Sequence, residues 1–471
     1  RVGNIENGKD TIIEACRRIE NDEVDPSRIT KSVLVIDEAQ DMDENEYRLI
    51  KALINKNETM RVIAVGDDDQ NIFSFRGSSS QYMQELLKYD NAKKYELVTN
   101  YRSKANLVEF TNKFVQTIDN RLKKTPIFAY QSDNGQIEVI KYKNEIIVPA
   151  LKYHIKEGFI DSTCVLTRTN HEALQVLGIL LKNGISCKLI RSSDRYQLIN
   201  LQEIRFFLEE LRNLNPNPKI DMADWQEAKR KLKVNYSDSD NYELCLQILN
   251  DFEVVSGNDM YYSDLEMFIK ESKEEDFLSK GQGQVVISTI HKSKGWEFNH
   301  VILILDNYDI SDDESKRALY VGLTRAKERI TIHYNGEYFD KNHYDQYKNV
   351  KNLNYKYDNN DYAPSDFLLY HLSLEDIRLG SVHYTQDLIK TYKSGNLLNV
   401  DVNGILDNTK NKYICKYSKK FKTEIDKYIP LGYVPTRAKV KNIVYWYDKD
   451  KDKEYLVLLP EIELTKQSST I

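Results

Sequence analysis

Two short apolar runs, each followed directly by acidic residues, constrain the fold of this chain more than any other feature. The runs occupy residues 33–36 and 62–65, and a segment with helical spacing lies between them at 46–54. The order strand, helix, strand is typical of a parallel α/β sheet, whose strands are buried on both faces. Ligands of such sheets bind at the carboxyl ends of the strands, where these acidic residues lie.

The alternation of strands and helices continues along the chain. Residues 201–280 are an exception, because their apolar positions follow helical spacing without any strand signal. We predict helices at 12–19, 106–118, 172–182 and 314–324, and strands at 136–142, 164–166, 285–287, 301–305 and 329–333. The polar stretch 346–363 predicts a linker, and the apolar runs 443–447 and 455–459 predict a β-hairpin with a charged loop.

The composition excludes several classes of protein. The 67 Lys and Arg residues nearly balance the 73 Asp and Glu residues, and the formal net charge of −6 excludes a uniformly basic nucleic-acid coat. The five cysteines never form a C-x-x-C pair, which predicts neither a disulfide framework nor a zinc knuckle and favours a reducing cytoplasm. No apolar run approaches the roughly 20 residues that span a bilayer, so we expect no membrane contact.

Three side chains at the ends of the first two predicted strands have chemistry suited to nucleotides. Of Asp37 and Glu38, one carboxylate can bind Mg²⁺, directly or through water, and the other can polarise a water molecule. Solvated acids at a strand end are the alternative. Gln70 ends the sequence GDDDQ, where its amide can sense a γ-phosphate or the attacking water.

Phe73, Phe75 and Arg76 follow Gln70 closely. Aromatic rings can stack on unpaired bases, and a guanidinium can contact the phosphate backbone, so this group predicts binding of single-stranded DNA without sequence preference. The alternative is that both phenylalanines belong to the core.

Six motifs in a fixed order resemble those of the UvrD/Rep helicases of superfamily 1. They are IDEAQD at 36–41, GDDDQNIFSFRG at 66–77, TNYRS at 99–103, LTRTN at 166–170, TIHKSKGWEF at 289–298 and YVGLTRAK at 320–327. The resemblance implies ATP hydrolysis coupled to 3′ to 5′ movement on single-stranded DNA, with ATP and Mg²⁺ bound and with DNA junctions as further partners.

The resemblance also implies a role for each matching residue in handling ATP. Asp37 matches the acid associated with Mg²⁺, and Glu38 matches the base that activates water. Gln70 and Arg102 match contacts to the γ-phosphate, and Tyr101 matches the tyrosine that stacks on adenine.

Four further residues match the family's motifs. Glu297 matches a ribose contact, and Arg325 matches the arginine finger that neutralises charge on the transferred phosphoryl group. Thr289 and His291 match positions that touch the DNA backbone, although a buried structural role is the alternative for His291.

The implied fold is α/β, with two RecA-like parallel-sheet domains, the first of them incomplete, a helical insertion and a small β-rich C-terminal domain. ATP would lie between the two RecA-like domains. The expected segments are the remainder of the first domain at 1–95, the second domain at 96–210 and 281–345, the helical insertion at 211–280, a linker and helical segment at 346–395, and the basic β-rich domain at 396–471.

The chain departs from the family pattern at the phosphate loop. The string G-x-x-x-x-G-K-[ST] does not occur in the sequence, only 36 residues precede Asp37, and the first residue is Arg1 rather than Met. We therefore expect the C-terminal part of a larger helicase that needs an upstream part of the same polypeptide, with weak ATP binding and negligible hydrolysis by this chain alone. The insertion is also shorter than the family's usual one, and Phe73 and Phe75 stand where Tyr and Trp are frequent.

The tail lies outside the resemblance, and we expect it to form a separate unit, such as a small β-barrel. Between residues 410 and 441 it carries ten Lys and Arg residues and two acids, a local charge of +8. This stretch either contacts DNA, contacts a protein or is a solvated face. If it contacts DNA, neutralising Lys419, Lys420 and Lys422 should flatten the salt dependence of binding. The charged hairpin resembles the ends of large helicase-like fusion proteins, some of which carry a RecQ-type motor upstream.

Two functions are compatible with these features. One is the C-terminal part of an ATP-dependent DNA helicase, and the other is a catalytically silent DNA- or protein-binding module that keeps a helicase scaffold. Glu38, Gln70, Arg102 and Arg325 together favour the helicase, because a silent scaffold has no chemical use for them.

Overall fold

The computed structural model describes residues 8–57, 59–160, 162–190, 196–257, 259–277, 285–339, 345–409 and 412–467. Arg1 and Lys410, which entered the sequence predictions, lie outside these ranges, as do residues 278–280 of the predicted insertion. The α/β class predicted from the sequence is confirmed. Among the residues that the structure describes, no helix is long and apolar enough to cross a bilayer.

The helices and strands are numbered here in chain order. The helices are α1 Gly8–Glu20, α2 Pro26–Ile29, α3 Glu44–Lys56, α4 Gln81–Leu86, α5 Ala105–Val115, α6 Ile147–Glu157, α7 Asn170–Lys182, α8 Gln202–Leu214, α9 Met222–Tyr236, α10 Tyr242–Ser256, α11 Tyr262–Glu271, α12 Asp313–Leu323, α13 Gln386–Ile389 and α14 Lys419–Ile425. The strands are β1 Val33–Ile36, β2 Arg61–Ala64, β3 Thr99–Asn100, β4 Phe128–Ala129, β5 Gln136–Tyr142, β6 Thr163–Thr167, β7 Cys187–Leu189, β8 Val285–Thr289, β9 Phe298–Leu305, β10 Ala326–Tyr334, β11 Leu353–Asp358, β12 Phe367–His371, β13 Leu397–Val400, β14 Gly404–Leu406, β15 Tyr413–Lys416, β16 Tyr433–Asp448 and β17 Lys453–Lys466.

The chain divides into two compact units. The first contains Arg1–Asn144 and Ser293–Asn360, and the second contains Glu145–Lys292 and Asp361–Ile471.

In the first unit, β1 and β2 pair in parallel as a two-stranded sheet. Val33, Val35 and Ile63 share one face of this sheet and are 49%, 62% and 44% exposed. The prediction that both strands are buried is therefore wrong for this face. A run of four apolar residues predicts that both faces of a strand are covered. In the structure only the opposite face, which carries Leu34 and Val62, is partly covered, and these two residues are half-buried.

The larger sheet of the first unit is parallel, in the order β11, β5, β10, β9. Aromatic rings of α5 fill its core, where Phe110 lies 4.8 Å from Tyr347 and 6.0 Å from Phe339, measured between ring centroids. Asp312 caps α12 by accepting a hydrogen bond from the backbone N–H of Ser315 at 2.7 Å. This cap starts the helix that leads to Arg325.

The prediction of a linker at 346–363 is wrong for Leu353–Asp358, which form the strand β11. This strand pairs with β5 from Leu353 to Asp358 at the edge of the sheet. An edge strand with exposed polar residues has little apolar periodicity, so its sequence resembles a linker. Strand β12 lies within the range 346–395, where the sequence predicted a linker and helical segment.

The second unit combines three kinds of element. Strands β6, β8 and β7 are parallel neighbours in that order, and α8 to α11 lie within residues 201–280, where helical spacing without a strand signal was predicted. An antiparallel sheet has the order β12, β17, β16, β13, β14, β15. The predicted hairpin is confirmed as β16 and β17, which pair from Tyr433 with Lys466 to Asp448 with Lys453.

The tail is not separate from the helical insertion, in contrast to the sequence prediction. One hydrophobic core contains Trp225 of α9 together with Val444 and Leu458 of the hairpin. Leu201 forms a β-bridge with Val444, and Arg205 of α8 lies over the ring of Tyr445 at 5.1 Å. Local periodicity cannot reveal such packing, because the partners are more than 200 residues apart in the chain.

Acidic partners neutralise several of the basic residues in the tail. The ion pairs are Lys420–Glu375 at 2.8 Å, Lys427–Glu424 at 2.5 Å, Arg437–Glu463 at 3.4 Å and Lys439–Asp240 at 3.1 Å. Lys422 donates to the carbonyl of Val402 at 2.8 Å. These pairs reduce the charge that this surface can offer to a phosphate backbone, so the DNA contact of the tail stays a prediction.

Candidate functional site

The turn after β1 holds Glu38 in an unusual backbone conformation. Its φ of 49° and ψ of 40° lie in the left-handed region, which costs a residue other than glycine about 1 kcal/mol or more. The Glu38 carboxylate accepts a hydrogen bond from Nε2 of Gln40 at 2.6 Å, and the exposed Asp37 carboxylate accepts one from the backbone N–H of Glu38 at 2.9 Å. Two carboxylates are thus presented at the end of the strand.

The turn after β2 is joined to the turn after β1 through the buried side chain of Gln40. Its Oε1 accepts a hydrogen bond from the backbone N–H of Asp67 at 2.9 Å. Gly66 makes this approach possible, because a Cβ atom there would lie only 2.5 Å from the same oxygen. Asp67 in turn accepts a hydrogen bond from Nε2 of Gln70 at 2.8 Å, which orients the Gln70 amide.

Arg325 is buried and reaches Gln70. Its Nη2 donates to Oε1 of Gln70 at 3.0 Å, its Nε donates to the carbonyl of Val321 at 2.9 Å, and its Nη1 donates to the carbonyl of Trp296 at 3.3 Å. Burial, with the charge of Arg102 adding to it, lowers the pKa of Arg325 to about 10. The guanidinium therefore stays charged at neutral pH, in a site where water screens it little.

Lys294, in the motif TIHKSKGWEF, was missed by the sequence predictions. Its Nζ donates to Asp41 at 2.5 Å and to the carbonyl of Gln70 at 3.1 Å, and it lies 3.4 Å from Oε2 of Glu38. The same ammonium lies 5.5 Å from the centroid of the Phe73 ring, in cation–π range. One lysine thus contacts both acidic turns and the predicted DNA-binding aromatic residue.

A second group of predicted residues lines an open pocket of about 480 Å³. Its lining residues are Thr99, Asn100, Tyr101, Arg102 and Glu297. Tyr101 is 67% exposed, and its ring centroid lies 4.8 Å from that of Tyr130, which is also exposed and which the sequence predictions missed. Pairing of β3 with β4 brings these two tyrosines together, and neither short strand carries a clear sequence signal.

Arg102 and Glu297 form an ion pair at the wall of this pocket. The Nε of Arg102 lies 2.7 Å from Oε2 of Glu297, and Lys327 lies 3.5 Å from the other carboxylate oxygen. Burial raises the pKa of Glu297, but the charges of Arg102 and Lys327 outweigh it and lower the pKa overall. In this conformation Arg102 contacts the residue predicted to bind ribose.

Phe73, Phe75 and Arg76 lie together on a short turn that follows Gln70. The Phe73 and Phe75 rings are 6.1 Å apart and tilted by 59°, and the Arg76 guanidinium lies 5.7 Å from the Phe73 ring centroid. Phe75 is 70% exposed, which disfavours a core role for it. The group has the aromatic and basic character that stacking on bases requires.

Thr289 and His291 lie in the second unit, unlike the residues above, which all lie in the first. Thr289 is the last residue of β8 and is buried, and its neighbour in the adjacent strand is Thr167. The roles of both residues in DNA binding stay predictions.

Asp37 fits Mg²⁺ by its chemistry, because an exposed carboxylate that leaves room for water is the usual protein ligand of this ion. Among the described residues, one group of three carboxylates lies close enough to share a metal ion, at Asp67, Asp68 and Asp69. Asp69 is already paired with Arg121, and Asp68 accepts from the backbone of Leu122, so the group is not a vacant ligand set.

Comparison with known protein families matches most of the chain. The model of the UvrD/REP helicase N-terminal domain matches residues 7–91, and that of the UvrD-like helicase C-terminal domain matches residues 95–220 and 217–337. The second model alone covers more than half of the chain. The chain therefore belongs to the UvrD/Rep helicase family.

Individual relatives agree with this assignment at low identity. The ATP-dependent DNA helicase Rep of Buchnera aphidicola is 23% identical over 408 residues, covering 64% of this chain and 62% of the relative. DNA helicase II of Haemophilus influenzae is 24% identical over 405 residues, covering 64% and 55%. The chain thus spans between 55% and 62% of the length of these two relatives.

One solved structure, described as the C-terminal domain of a possible DNA helicase from Lactobacillus, covers 54% of this chain and 98% of its own. Its sequence identity to this chain is 13% and its TM-score is 0.27.

Proposed function

We propose that this chain forms the ATP-hydrolysing and DNA-binding core of an ATP-dependent DNA helicase that moves 3′ to 5′ along single-stranded DNA. The observation that carries the proposal is the hydrogen bond between Arg325 and Gln70, next to the contact of Lys294 with Glu38. These contacts bring a base, an amide and two cations together from four motifs. The Rep relative is itself named an ATP-dependent DNA helicase.

In the proposed reaction, Glu38 accepts the proton of the attacking water, which the Gln70 amide orients. The ammonium of Lys294 lies 3.4 Å from Oε2 of Glu38 and helps to hold this carboxylate in place. Arg325 neutralises the charge that develops on the transferred phosphoryl group, and its fixed hydrogen bonds mean that little reorganisation is needed. Asp37 would hold Mg²⁺, which supplies further charge neutralisation when bound.

Arg102 has a second role in this scheme. It is paired with Glu297 in the described conformation, and we propose that it turns to the γ-phosphate when Glu297 contacts the ribose. The division into RecA-like domains at 1–95, 96–210 and 281–345 would place Glu38 in the first domain and Arg325 in the second. Hydrolysis would then change the separation of the two domains and shift DNA past Phe73 and Phe75.

The exposed apolar face of β1 and β2 supports a further part of the proposal. Val33, Val35 and Ile63 form this face, and parallel sheets are normally covered on both sides. We propose that a segment of the same polypeptide, carrying the phosphate loop, covers it. We also propose that the tail at 410–441 contacts DNA or a protein. A cytoplasmic location is a further part of the proposal.

The direct test is ATP hydrolysis by the full-length protein encoded by the gene, with and without single-stranded DNA. We expect DNA to stimulate hydrolysis, and Phe75→Ala to weaken DNA affinity by about 1–3 kcal/mol, the usual contribution of one base stack. The control is Tyr357→Ala, which removes an exposed aromatic ring of the edge strand β11, outside the DNA-binding group and the Tyr101 pocket. Absence of any DNA-stimulated hydrolysis would favour the catalytically silent module instead.

The paired tyrosines should determine the affinity for the base of the nucleotide. Tyr101→Ala is expected to weaken ATP binding about tenfold, and Tyr130→Ala less, because an aromatic pair contributes about 0.5–1.5 kcal/mol beyond its burial. Both effects should be smaller in the phenylalanine variants, which keep the ring. Titration with a fluorescent ATP analogue measures the affinity of each variant for the nucleotide. Equal affinity of Tyr101→Ala and wild type would remove Tyr101 from the nucleotide site.

A further inference from the structure

Two buried carboxylates beside Gln70 have no part in the reaction described above. Asp68 and Asp69 are 3% and 1% exposed. Carboxylates so deeply buried need partners, because the loss of hydration is costly unless charges and hydrogen bonds compensate it.

The partners of both carboxylates lie in the segment 119–122, which precedes β4. Nε and Nη2 of Arg121 donate to the two oxygens of Asp69 at 2.7 and 2.6 Å, a bidentate arrangement that fixes the guanidinium plane. The backbone N–H of Leu122 donates to Asp68 at 2.6 Å. The turn 67–70 is thus held to this segment by three hydrogen bonds.

The segment 119–122 is in turn held to the start of α12. Asp313 accepts hydrogen bonds from the backbone N–H groups of Asp119 and Asn120, both at 3.1 Å. Arg317, one turn further along the helix, donates to the carbonyl of Asn120 at 2.5 Å. Three hydrogen bonds therefore hold the segment that carries Arg121 against the start of α12.

The other end of α12 reaches the same turn through Arg325. The Nε of Arg325 is fixed by the carbonyl of Val321 in the last turn of the helix, and its Nη2 donates to Gln70. Helix α12 is consequently connected to the turn 67–70 at both ends, by Arg121 with Asp69 and by Arg325 with Gln70. Because the turn 67–70 is attached to both ends of α12, it cannot rotate about a single contact.

We propose that Arg121 is a positioning residue that, through Asp69, fixes the turn 67–70 so that Gln70 and Arg325 keep their reactive geometry. It touches no reacting atom itself. The inference rests on the proposed function, because it assigns Arg121 to the same hydrolysis reaction.

The test compares Arg121→Gln, Asp69→Asn and the double variant with wild type, in the full-length protein. Arg121→Gln is expected to lower kcat for DNA-stimulated hydrolysis about tenfold or more, since small misplacements of reacting groups have large effects on rate. The KM for ATP should change less than about twofold, because the pocket at Tyr101 is not touched. The kcat of the double variant should be no lower than that of either single variant, because both substitutions break the same ion pair.

Arg121→Lys is the conservative variant in this experiment, and Arg48→Gln is the matched control. The lysine keeps the charge but cannot bind both oxygens of Asp69, so it should recover only part of kcat. Arg48 forms an exposed bidentate pair with Glu20 on α1 and α3, and its loss should leave kcat unchanged.

Hydrogen–deuterium exchange of this chain gives a readout that does not depend on activity. Backbone amides at 67–77 should exchange faster in Arg121→Gln than in wild type or Arg48→Gln. Unchanged exchange, or a loss of thermal stability with unchanged kcat, would overturn the positioning role. Absence of hydrolysis in the wild-type protein would instead overturn the proposed function, while faster exchange in Arg121→Gln would still show that Arg121 holds the turn.

Discussion

Glu38→Gln in the full-length protein is expected to reduce DNA-stimulated ATP hydrolysis by about 10³-fold, in the range found when a general base is removed. The amide keeps the size of the side chain and can still accept the hydrogen bond from Gln40. It cannot accept a proton from water at neutral pH. Hydrolysis is measured as phosphate release at saturating ATP and single-stranded DNA.

The fold and the DNA site should survive this change. Glu38 is exposed, and the variant removes a contact of 3.4 Å with Lys294, which keeps its shorter hydrogen bond to Asp41. We therefore expect DNA affinity and thermal stability close to those of wild type. Glu44→Gln, an exposed glutamate at the start of α3, is the matched control and should hydrolyse ATP normally. Equal activity of Glu38→Gln and wild type would exclude Glu38 as the base.

Arg325→Gln is expected to have the second large effect, a loss of about 10³-fold or more in kcat, as for other arginine fingers. Glutamine cannot supply the cation, and it can replace only some of the hydrogen bonds to Val321, Trp296 and Gln70. Arg325→Lys keeps a charge, but an ammonium cannot occupy the three directions of the guanidinium. Its activity should therefore lie nearer to that of Arg325→Gln than to that of wild type.

Burial of Arg325 requires a separate check of folding. The side chain is only 2% exposed, so a loss of activity could follow from local rearrangement. Thermal unfolding and ATP affinity distinguish the two cases, because the base pocket at Tyr101 should bind nucleotide normally in a folded variant. Unchanged kcat in folded Arg325→Gln would remove the arginine finger from the scheme.

Much of the fold follows from local patterns in the sequence. The capping pair Asp43 and Glu46 starts α3, and alternation of strand and helix identified the α/β class. The motifs placed Glu38, Gln70 and Arg325 in one family pattern, and the structure brings Gln70 and Arg325 into contact. Gln70 follows the carboxyl end of β2, where ligands of a parallel sheet are expected. Arg325 lies between α12 and β10, so only its family motif predicted its role.

Other features depend on contacts that local patterns do not contain. Lys294 has an ordinary position in its motif, and only the structure shows that one ammonium contacts Glu38, Asp41 and Gln70. Tyr130 reaches Tyr101 through a pairing of two-residue strands. The apolar run at β1 predicted a buried strand, whereas Val33 and Val35 are exposed, because a local run does not show which residues supply the cover.

The shared packing of the helical insertion and the long hairpin has a consequence for how this protein can be shortened or recombined. Removing the chain from residue 396 onward would remove the partners of Leu201 and Arg205, and removing the helices would do the same to Val444 and Tyr445. Neither portion can be exchanged for a homologous piece unless the other is exchanged with it. Sequence changes on the two portions should therefore be correlated during evolution, although they are far apart in the gene.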